Sequence, residues 1–76
     1  ITTDGTNLYV GDFVNHSIRQ VVISSGVVTT VAGTGSQGSA NGTGTSASFN
    51  NPYGITTDGT NLYVADYSNH LIRKIE

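Results

Sequence analysis

Short apolar stretches separated by polar turns run along the whole chain. The first, ITT, leads into Asp4-Gly5, a dipeptide that favours the positive φ values of tight hairpin turns. LYV at 8–10, SIRQVVIS at 17–24 and VVTTVAG at 27–33 follow, with polar or glycine-containing residues between them. β-Branched residues dominate, and no stretch is long enough to show a helical period. The pattern predicts four short antiparallel strands, joined as a meander, within residues 1–33.

The same pattern occurs twice. The decamer ITTDGTNLYV at residues 1–10 recurs unchanged 54 residues later, and residues 1–22 match residues 55–76 at 15 of 22 positions. Similarity at a fixed offset is the mark of a repeated structural unit. We therefore predict a four-stranded blade at 1–33, a Gly/Ser-rich inter-blade segment at 34–54, called the crossing below, and strands one to three of the next blade at 55–76.

Both faces of the last predicted hairpin carry apolar side chains. If residues opposite one another across its turn share a face, one face holds Leu62, Val64 and Ile75, and the other holds Tyr63, Ala65 and Ile72. A sheet with one solvated face would instead alternate apolar and polar residues. Each sheet therefore needs a neighbour on both sides, as the stacked blades of a β-propeller provide. The predicted fold class is all-β, made of propeller blades.

Several motifs support a closer identification. G-I-T-T-D, L-Y-V-A-D and N-H-L-I-R-K-I follow one another at 54–75, and they resemble the NHL repeat, whose Asn-His-Leu triplet stands at 69–71. The intervening residues are similar to the spacer of bacterial-type NHL β-propeller repeats. The resemblance implies four antiparallel strands per repeat. It also implies a family whose members mostly bind proteins or nucleic acids or act as scaffolds, while a minority of related propellers are metal-dependent lyases or hydrolases.

One set of polar residues is spaced alike in both copies. An aspartate at the end of a strand can accept N–H bonds from the following turn, and an asparagine there tolerates left-handed φ. A histidine can close the turn through its side chain, and an arginine on the next strand can pair with the aspartate or with a carboxylate of a neighbouring blade. We expect such turn and cross-strand roles for Asp12, Asn15, His16, Arg19, Asp66, Asn69, His70 and Arg73.

Catalysis or metal binding would make a different demand on these residues. Their side chains would have to converge on one point, whereas two equivalent turns on adjacent blades point to two places. We therefore expect no catalytic, cofactor-binding or metal-ligating residue, no cofactor and no enzymatic activity in this chain. The aromatic residues Tyr9, Phe13, Tyr63 and Tyr67 are expected to pack between blades.

Composition narrows the range of partners. Five acidic and three basic residues give a formal charge of −2, which offers no positive surface to nucleic acid. No apolar run approaches the roughly 20 residues that a membrane-spanning helix needs. The absence of cysteine excludes disulfides and thiolate metal sites. A surface rich in hydroxyl groups favours an extracellular or cell-envelope location.

These observations lead to one functional expectation and two alternatives. We expect a non-enzymatic scaffold or binding module, whose partners are other blades of the same chain, other copies of itself, or protein or glycan ligands. The first alternative is a structural repeat protein that forms a fibre or surface layer through exposed sheet edges. The second is a fragment of a propeller lyase or hydrolase with its catalytic residues elsewhere. Because a closed propeller has at least about four blades, we expect the chain to be a segment of a longer array.

Overall fold

Two antiparallel sheets make up the fold, and no α-helix is present. The computed structural model describes all 76 residues. The strands are β1 (Thr2–Thr3), β2 (Asn7–Asp12), β3 (Ser17–Val22), β4 (Val28–Ala32), β5 (Pro52–Thr57), β6 (Leu62–Asp66) and β7 (Leu71–Ile75), with short 3-10 turns at Gly44–Ser46 and Tyr67–Asn69. Neighbouring strands in sequence are neighbours in space, in the orders β1-β2-β3-β4 and β5-β6-β7. The predicted all-β fold, with one four-stranded blade and three strands of a second, is confirmed.

The turn that opens each blade is built by its own local sequence. The Asp4 carboxylate accepts the backbone N–H groups of Thr6 at 2.9 Å and Asn7 at 2.8 Å. Gly5 takes a φ of 91°, a left-handed value that glycine adopts without steric cost. Asp58 repeats the arrangement, with Thr60 at 2.9 Å and Asn61 at 2.7 Å. The unchanged decamer therefore encodes the same capped hairpin turn twice.

Hydrogen bonds in these turns also lower the pKa values of the two aspartates. The pKa of Asp4 lies below its ordinary value of 3.8, first because the Asn7 N–H donates to the carboxylate and next because the Thr6 N–H does. The pKa of Asp58 is lowered for the same reason, with Asn61 as the main donor. A tyrosine hydroxyl adds a further bond in each copy, from Tyr63 to Asp58 at 3.0 Å in the second. Both carboxylates are therefore held in their charged form.

The core lies between the two sheets. The second sheet has the expected register, with Leu62 opposite Ile75 and Ala65 opposite Ile72. Side chains from both sheets and from the crossing close the space, and Tyr9, Ile55 and Ile75 pack against them from the periphery. The buried cluster consists of Ile18, Ala32, Ala47, Phe49, Leu62 and Val64. The first sheet thus covers the Leu62–Val64 face of the second.

The outer face of each sheet is uncovered, as a comparison of equivalent residues in the two copies shows. Ile18 is fully buried at the inter-sheet contact, whereas Ile72, which lies 54 residues later in the equivalent position, is 76% exposed. In the opposite sense, Val64 is fully buried while its equivalent, Val10, is only half-buried. Each type of blade face is therefore packed in one copy and open in the other.

The crossing runs between the sheets as an irregular segment. Its 3-10 turn at Gly44–Ser46 is followed by Ala47, Ser48 and Phe49, which are buried. β5 begins at Pro52, inside the range 34–54 that the sequence assigned to the crossing. The division of the chain at 33/34 and 54/55 otherwise stays a prediction.

Candidate functional site

The repeated polar residues form two equivalent clusters, one per blade. We call Asp12, Asn15 and Arg19 the first cradle, and Asp66, Asn69 and Arg73 the second cradle. In each, the aspartate ends the second strand of its blade, the asparagine lies in the next turn, and the arginine lies on the third strand. Since strand pairing sets the arginine near the aspartate across the hairpin, the local fold assembles each cradle.

In the second cradle the aspartate and the arginine are buried, and all three side chains bond one another. Arg73 Nη1 donates to Asp66 Oδ2 at 2.9 Å, and Asn69 Nδ2 donates to the same oxygen at 2.7 Å. The side chain of Asp66 is 0% exposed and that of Arg73 is 9% exposed. A buried charge pair is stable only when its remaining hydrogen-bonding groups are also satisfied. Here those partners come from the crossing.

The crossing contacts the second cradle mainly through backbone groups, and also through the side chains of Asn41 and Phe49. Arg73 donates to the carbonyl oxygens of Ser48 and Ala40, both at 3.0 Å. The backbone N–H of Asn50 donates to Asp66 Oδ1 at 2.8 Å, and the guanidinium of Arg73 lies 4.9 Å from the centre of the Phe49 ring. Two further bonds complete the set, from Asn69 to Gly38 O at 2.7 Å and from Arg73 to Asn41 Oδ1 at 3.1 Å.

The first cradle contains the same residues without such a cover. Asn15 Nδ2 donates to both oxygens of Asp12, at 3.1 and 3.0 Å. Arg19 Nη1 lies 3.4 Å from Asp12 Oδ2, and the two side chains are 34% and 27% exposed. Arg19 Nε is inaccessible to solvent and has no hydrogen-bond partner. The internal pairing is thus present in both copies, and the peptide cover is present in one.

The structure corrects part of the predicted turn chemistry. No backbone amide of the following turn donates to the carboxylate of Asp66 or of Asp12, although the Asn15 N–H donates to the backbone carbonyl of Asp12 at 3.2 Å. The amide that bonds the Asp66 carboxylate belongs to Asn50, 16 residues earlier. The left-handed residues are His16 and His70, with φ of 54° and 57°, and not the adjacent asparagines. The side chains of Asn15 and Asn69 instead donate to the aspartate of their own cradle, and the left-handed bend falls at the histidine that follows.

The two histidines have different partners. His16 is buried, and its Nδ1 accepts the backbone N–H of Asn51 at 3.0 Å, so it fastens the end of the crossing to the first blade. His70 is exposed, and its contact in the turn is a backbone N–H donated to Tyr67 O at 3.2 Å. The predicted closure of the turn by a histidine side chain is therefore wrong for both, because the side chain of His16 reaches across to the crossing and that of His70 makes no hydrogen bond.

Three aromatic rings form an exposed cluster beside these turns. Phe13, Tyr53 and Tyr67 lie with ring centres 6.0 to 6.3 Å apart, and they come from the turn after β2, the start of β5 and the turn after β6. Asn51 supports the arrangement, because its side chain donates to Phe13 O at 3.2 Å and accepts from Ser68 Oγ at 2.8 Å. Phe13 and Tyr67 thus pack against each other across the two blades, as the sequence suggested, and they do so at the exposed surface. We call these three residues the aromatic cluster.

Other candidate features are few. No group of three or more metal-ligating side chains converges anywhere in the chain. A cleft of about 790 Å³ lies between the crossing and residues 71–76 of the edge strand β7. No helix has the length and apolar character needed to cross a membrane.

Sequence comparisons find relatives over nearly the whole chain. The chain is 36% identical over 78 residues to NHL repeat-containing protein 2 of Gallus gallus, which covers 100% of the chain and 11% of that protein. It is 42% and 40% identical over 72 residues to the proteins of the same name in Bos taurus and Homo sapiens, covering 91% of the chain and 10% of each relative. The chain thus spans about a tenth of the length of these relatives.

No protein-family model matches the chain. The name of these relatives nevertheless agrees with the family that the N-H-L-I-R-K-I motif, which ends in β7, resembles. These similarities support the assignment of the chain to the NHL-repeat family, as a β-propeller-type repeat module.

Proposed function

We propose that this chain is a non-enzymatic scaffold and binding module of an extracellular or envelope-associated propeller, built from repeats of the bacterial NHL type. It holds neighbouring blades together and binds protein or glycan partners through its turns. The single observation that carries the binding role is the aromatic cluster. Tyrosine and phenylalanine supply large, rigid contact areas with little conformational entropy to lose, and they are enriched at binding surfaces.

The contacts of the repeated polar residues support a structural use for them. Asp66 and Arg73 form hydrogen bonds with each other and with the crossing, and Nδ1 of His16 accepts the backbone N–H of Asn51. A group held in this way is committed to the fold. The proposed ligand surface is therefore the aromatic cluster, which protrudes beside the cradles: Tyr53 is 70% exposed and Tyr67 64% exposed.

A selection experiment tests this proposal. The full chain is screened on a glycan array and against a displayed peptide library, and each recovered ligand is tested again with the triple variant Phe13→Ser, Tyr53→Ser and Tyr67→Ser. We expect the triple variant to bind recovered ligands at least about tenfold more weakly, which corresponds to about 1.4 kcal/mol. The matched control is Ile23→Ser with Val27→Ser, which removes exposed apolar area elsewhere. Recovery of no ligand, or ligands that bind both variants alike, would refute the proposal.

The alternative of self-assembly through sheet edges is favoured by the cleft beside β7. The edge strand Leu71–Ile75 lines it, and an extended strand of another copy could pair there. Light scattering after size-exclusion chromatography separates the two functions, because strand addition yields large polymers and a binding module stays monodisperse.

A further inference from the structure

Glycine follows an aspartate or an asparagine at three sites in the chain, Asp4-Gly5, Asp58-Gly59 and Asn41-Gly42. At such a site the main-chain nitrogen of the glycine can attack the side-chain carbonyl carbon of the preceding residue, because glycine has no side chain to hinder the approach. The product is a cyclic imide, which water then opens. The contacts around each site decide which of the three is free to react.

The two Asp-Gly sites are held by their own turns. The N–H of Gly5 donates to Thr3 Oγ1 at 3.0 Å, and that of Gly59 donates to Thr57 Oγ1 at 3.1 Å. Both aspartate side chains accept backbone N–H groups, which keeps them charged, and a carboxylate ion resists attack by a nucleophile. Both reacting groups are engaged at each site, and we expect neither site to cyclise.

At Asn41-Gly42 the same groups are free. Both residues are exposed, and the N–H of Gly42 makes no hydrogen bond within the chain. The side-chain oxygen of Asn41 accepts from Nη2 of Arg73 at 3.1 Å, whereas its side-chain nitrogen donates to no group. Asn41 and Gly42 line the open cleft beside β7, where water can reach them. The attacking nitrogen and the leaving nitrogen are therefore both available.

The contact with Arg73 favours this reaction. Attack on Cγ of Asn41 puts negative charge on Oδ1, and a hydrogen-bond donor already placed at that oxygen stabilises the charge as it develops. Arg73 is buried and is held by Asp66 and by two carbonyl oxygens of the crossing, so its guanidinium is oriented before the reaction begins. The unfolded chain lacks this placed donor.

We propose that Asn41 is a site of intramolecular deamidation promoted by Arg73. The bond between Gly42 N and Asn41 Cγ forms, the Cγ–Nδ2 bond breaks, and Nδ2 leaves as ammonia with the amide proton of Gly42. Water then adds to either carbonyl carbon of the imide, and the imide nitrogen regains a proton. Opening at Cγ gives aspartate, and opening at the main-chain carbon gives isoaspartate. Neither step is an oxidation or a reduction.

The two products affect the second cradle differently. Aspartate keeps an oxygen beside Arg73 and adds a negative charge there. Isoaspartate adds a methylene group to the main chain directly after Ala40, whose carbonyl oxygen also bonds Arg73. The longer backbone displaces the groups of the crossing that meet Nη2 of Arg73, so formation of isoaspartate loosens the crossing from the second cradle.

Timed incubation of the full chain at mildly alkaline pH tests the site. Peptide mapping by mass spectrometry follows loss of the Asn41 amide, and enzymatic methylation detects isoaspartate. We expect conversion at Asn41 to be at least about tenfold faster in the folded chain than in the same chain unfolded in urea, with Asp4 and Asp58 unchanged over that period. Conversion that is no faster in the folded chain, or isoaspartate that forms at Asp4 or Asp58 before Asn41, would overturn the proposal.

Two variants separate the reaction from its consequence. Asn41→Gln keeps the amide but must close a larger ring, and we expect it to stay unmodified. Asn41→Asp supplies the charge without the longer backbone and should melt close to the unsubstituted chain, whereas the isoaspartate form, isolated by ion exchange, should melt at a lower temperature. An isoaspartate form as stable as Asn41→Asp would contradict the loosening of the crossing.

Discussion

At the scale of single residues, aspartate has two distinct uses in this chain. Asp4 and Asp58 are exposed and accept backbone N–H groups two and three positions ahead. Asp12 and Asp66 bond side chains, and Asp66 also bonds the amide of Asn50. The capping chemistry that the sequence suggested for Asp66 is found at Asp58. The unchanged decamer around Asp58 was the signal that could have located it.

The lowered pKa of Asp58 predicts a pH-dependent contribution to stability. Because the folded-state pKa lies below the ordinary value of 3.8, the unfolded chain takes up the proton first as the pH falls. The contribution is complete above the unfolded-state pKa and disappears as the pH falls through the folded-state pKa. We expect Asp58→Asn to lower the melting temperature at pH 6, and the gap from the unsubstituted chain to narrow towards pH 2. Glu76→Gln, at an exposed carboxylate outside any turn, is the control; a gap that is constant with pH contradicts the assignment.

At the scale of elements, close contact between strands decides where a side chain is tolerated. Gly11 on β2 faces the backbone of β5, and a Cβ atom placed there would lie 2.8 Å from Tyr53 O and 3.0 Å from Pro52 O. The equivalent position in the second sheet holds Ala65. It lies on the face of that sheet that no third sheet covers. One of the seven differences between the copies therefore coincides with the inter-sheet contact.

Substitution at this pair of positions tests the packing. We expect Gly11→Ala to destabilise the fold by about 1–3 kcal/mol, since the backbone of β5 must move to admit the methyl group. The reverse change, Ala65→Gly, should cost about 0.5–1 kcal/mol through backbone entropy alone. Urea denaturation followed by circular dichroism measures both. Equal effects at the two positions would show that β2 and β5 are not in close contact in solution.

At the scale of the whole molecule, the crossing joins the two blades. Its last residues bond His16 on one side and Asp66 on the other, and Phe49 fills the space between the sheets. The crossing also separates the two cradles into a buried one and an open one. The two Asp–Arg ion pairs are therefore expected to contribute unequally to the free energy of unfolding.

Removal of the two arginines measures that inequality. Arg73→Met leaves Asp66 buried without its charged partner, and we expect a loss of about 3–5 kcal/mol in the free energy of unfolding. Arg19→Met breaks a half-exposed pair and should cost about 0–1 kcal/mol. The measurement is again urea denaturation. If Arg73→Met, and not Arg19→Met, abolishes the cooperative transition, that result also counts as the larger effect. Similar losses for both variants would contradict the burial described for the second cradle.

Much of the fold followed from local patterns. The strands, the meander order and the sharing of faces by Leu62 and Ile75 come from apolar spacing and turn residues, which act within one hairpin. The approach of Arg73 to Asp66 was also predictable, because both lie on that hairpin. The role of Phe49 was not, since the Gly/Ser-rich crossing has no periodicity from which its path could be inferred.

The sequence by itself determined that this protein consists of repeated β-meanders with the same turns and the same internal Asp–Asn–Arg pairing, because these depend on contacts between near neighbours in the chain. Only the tertiary structure decided which copy of each face is buried and which histidine finds a partner. His16 and His70 both follow an asparagine and have nearly the same left-handed φ, 54° and 57°. They differ because the crossing passes over one of them, and burial depends on what a distant segment covers.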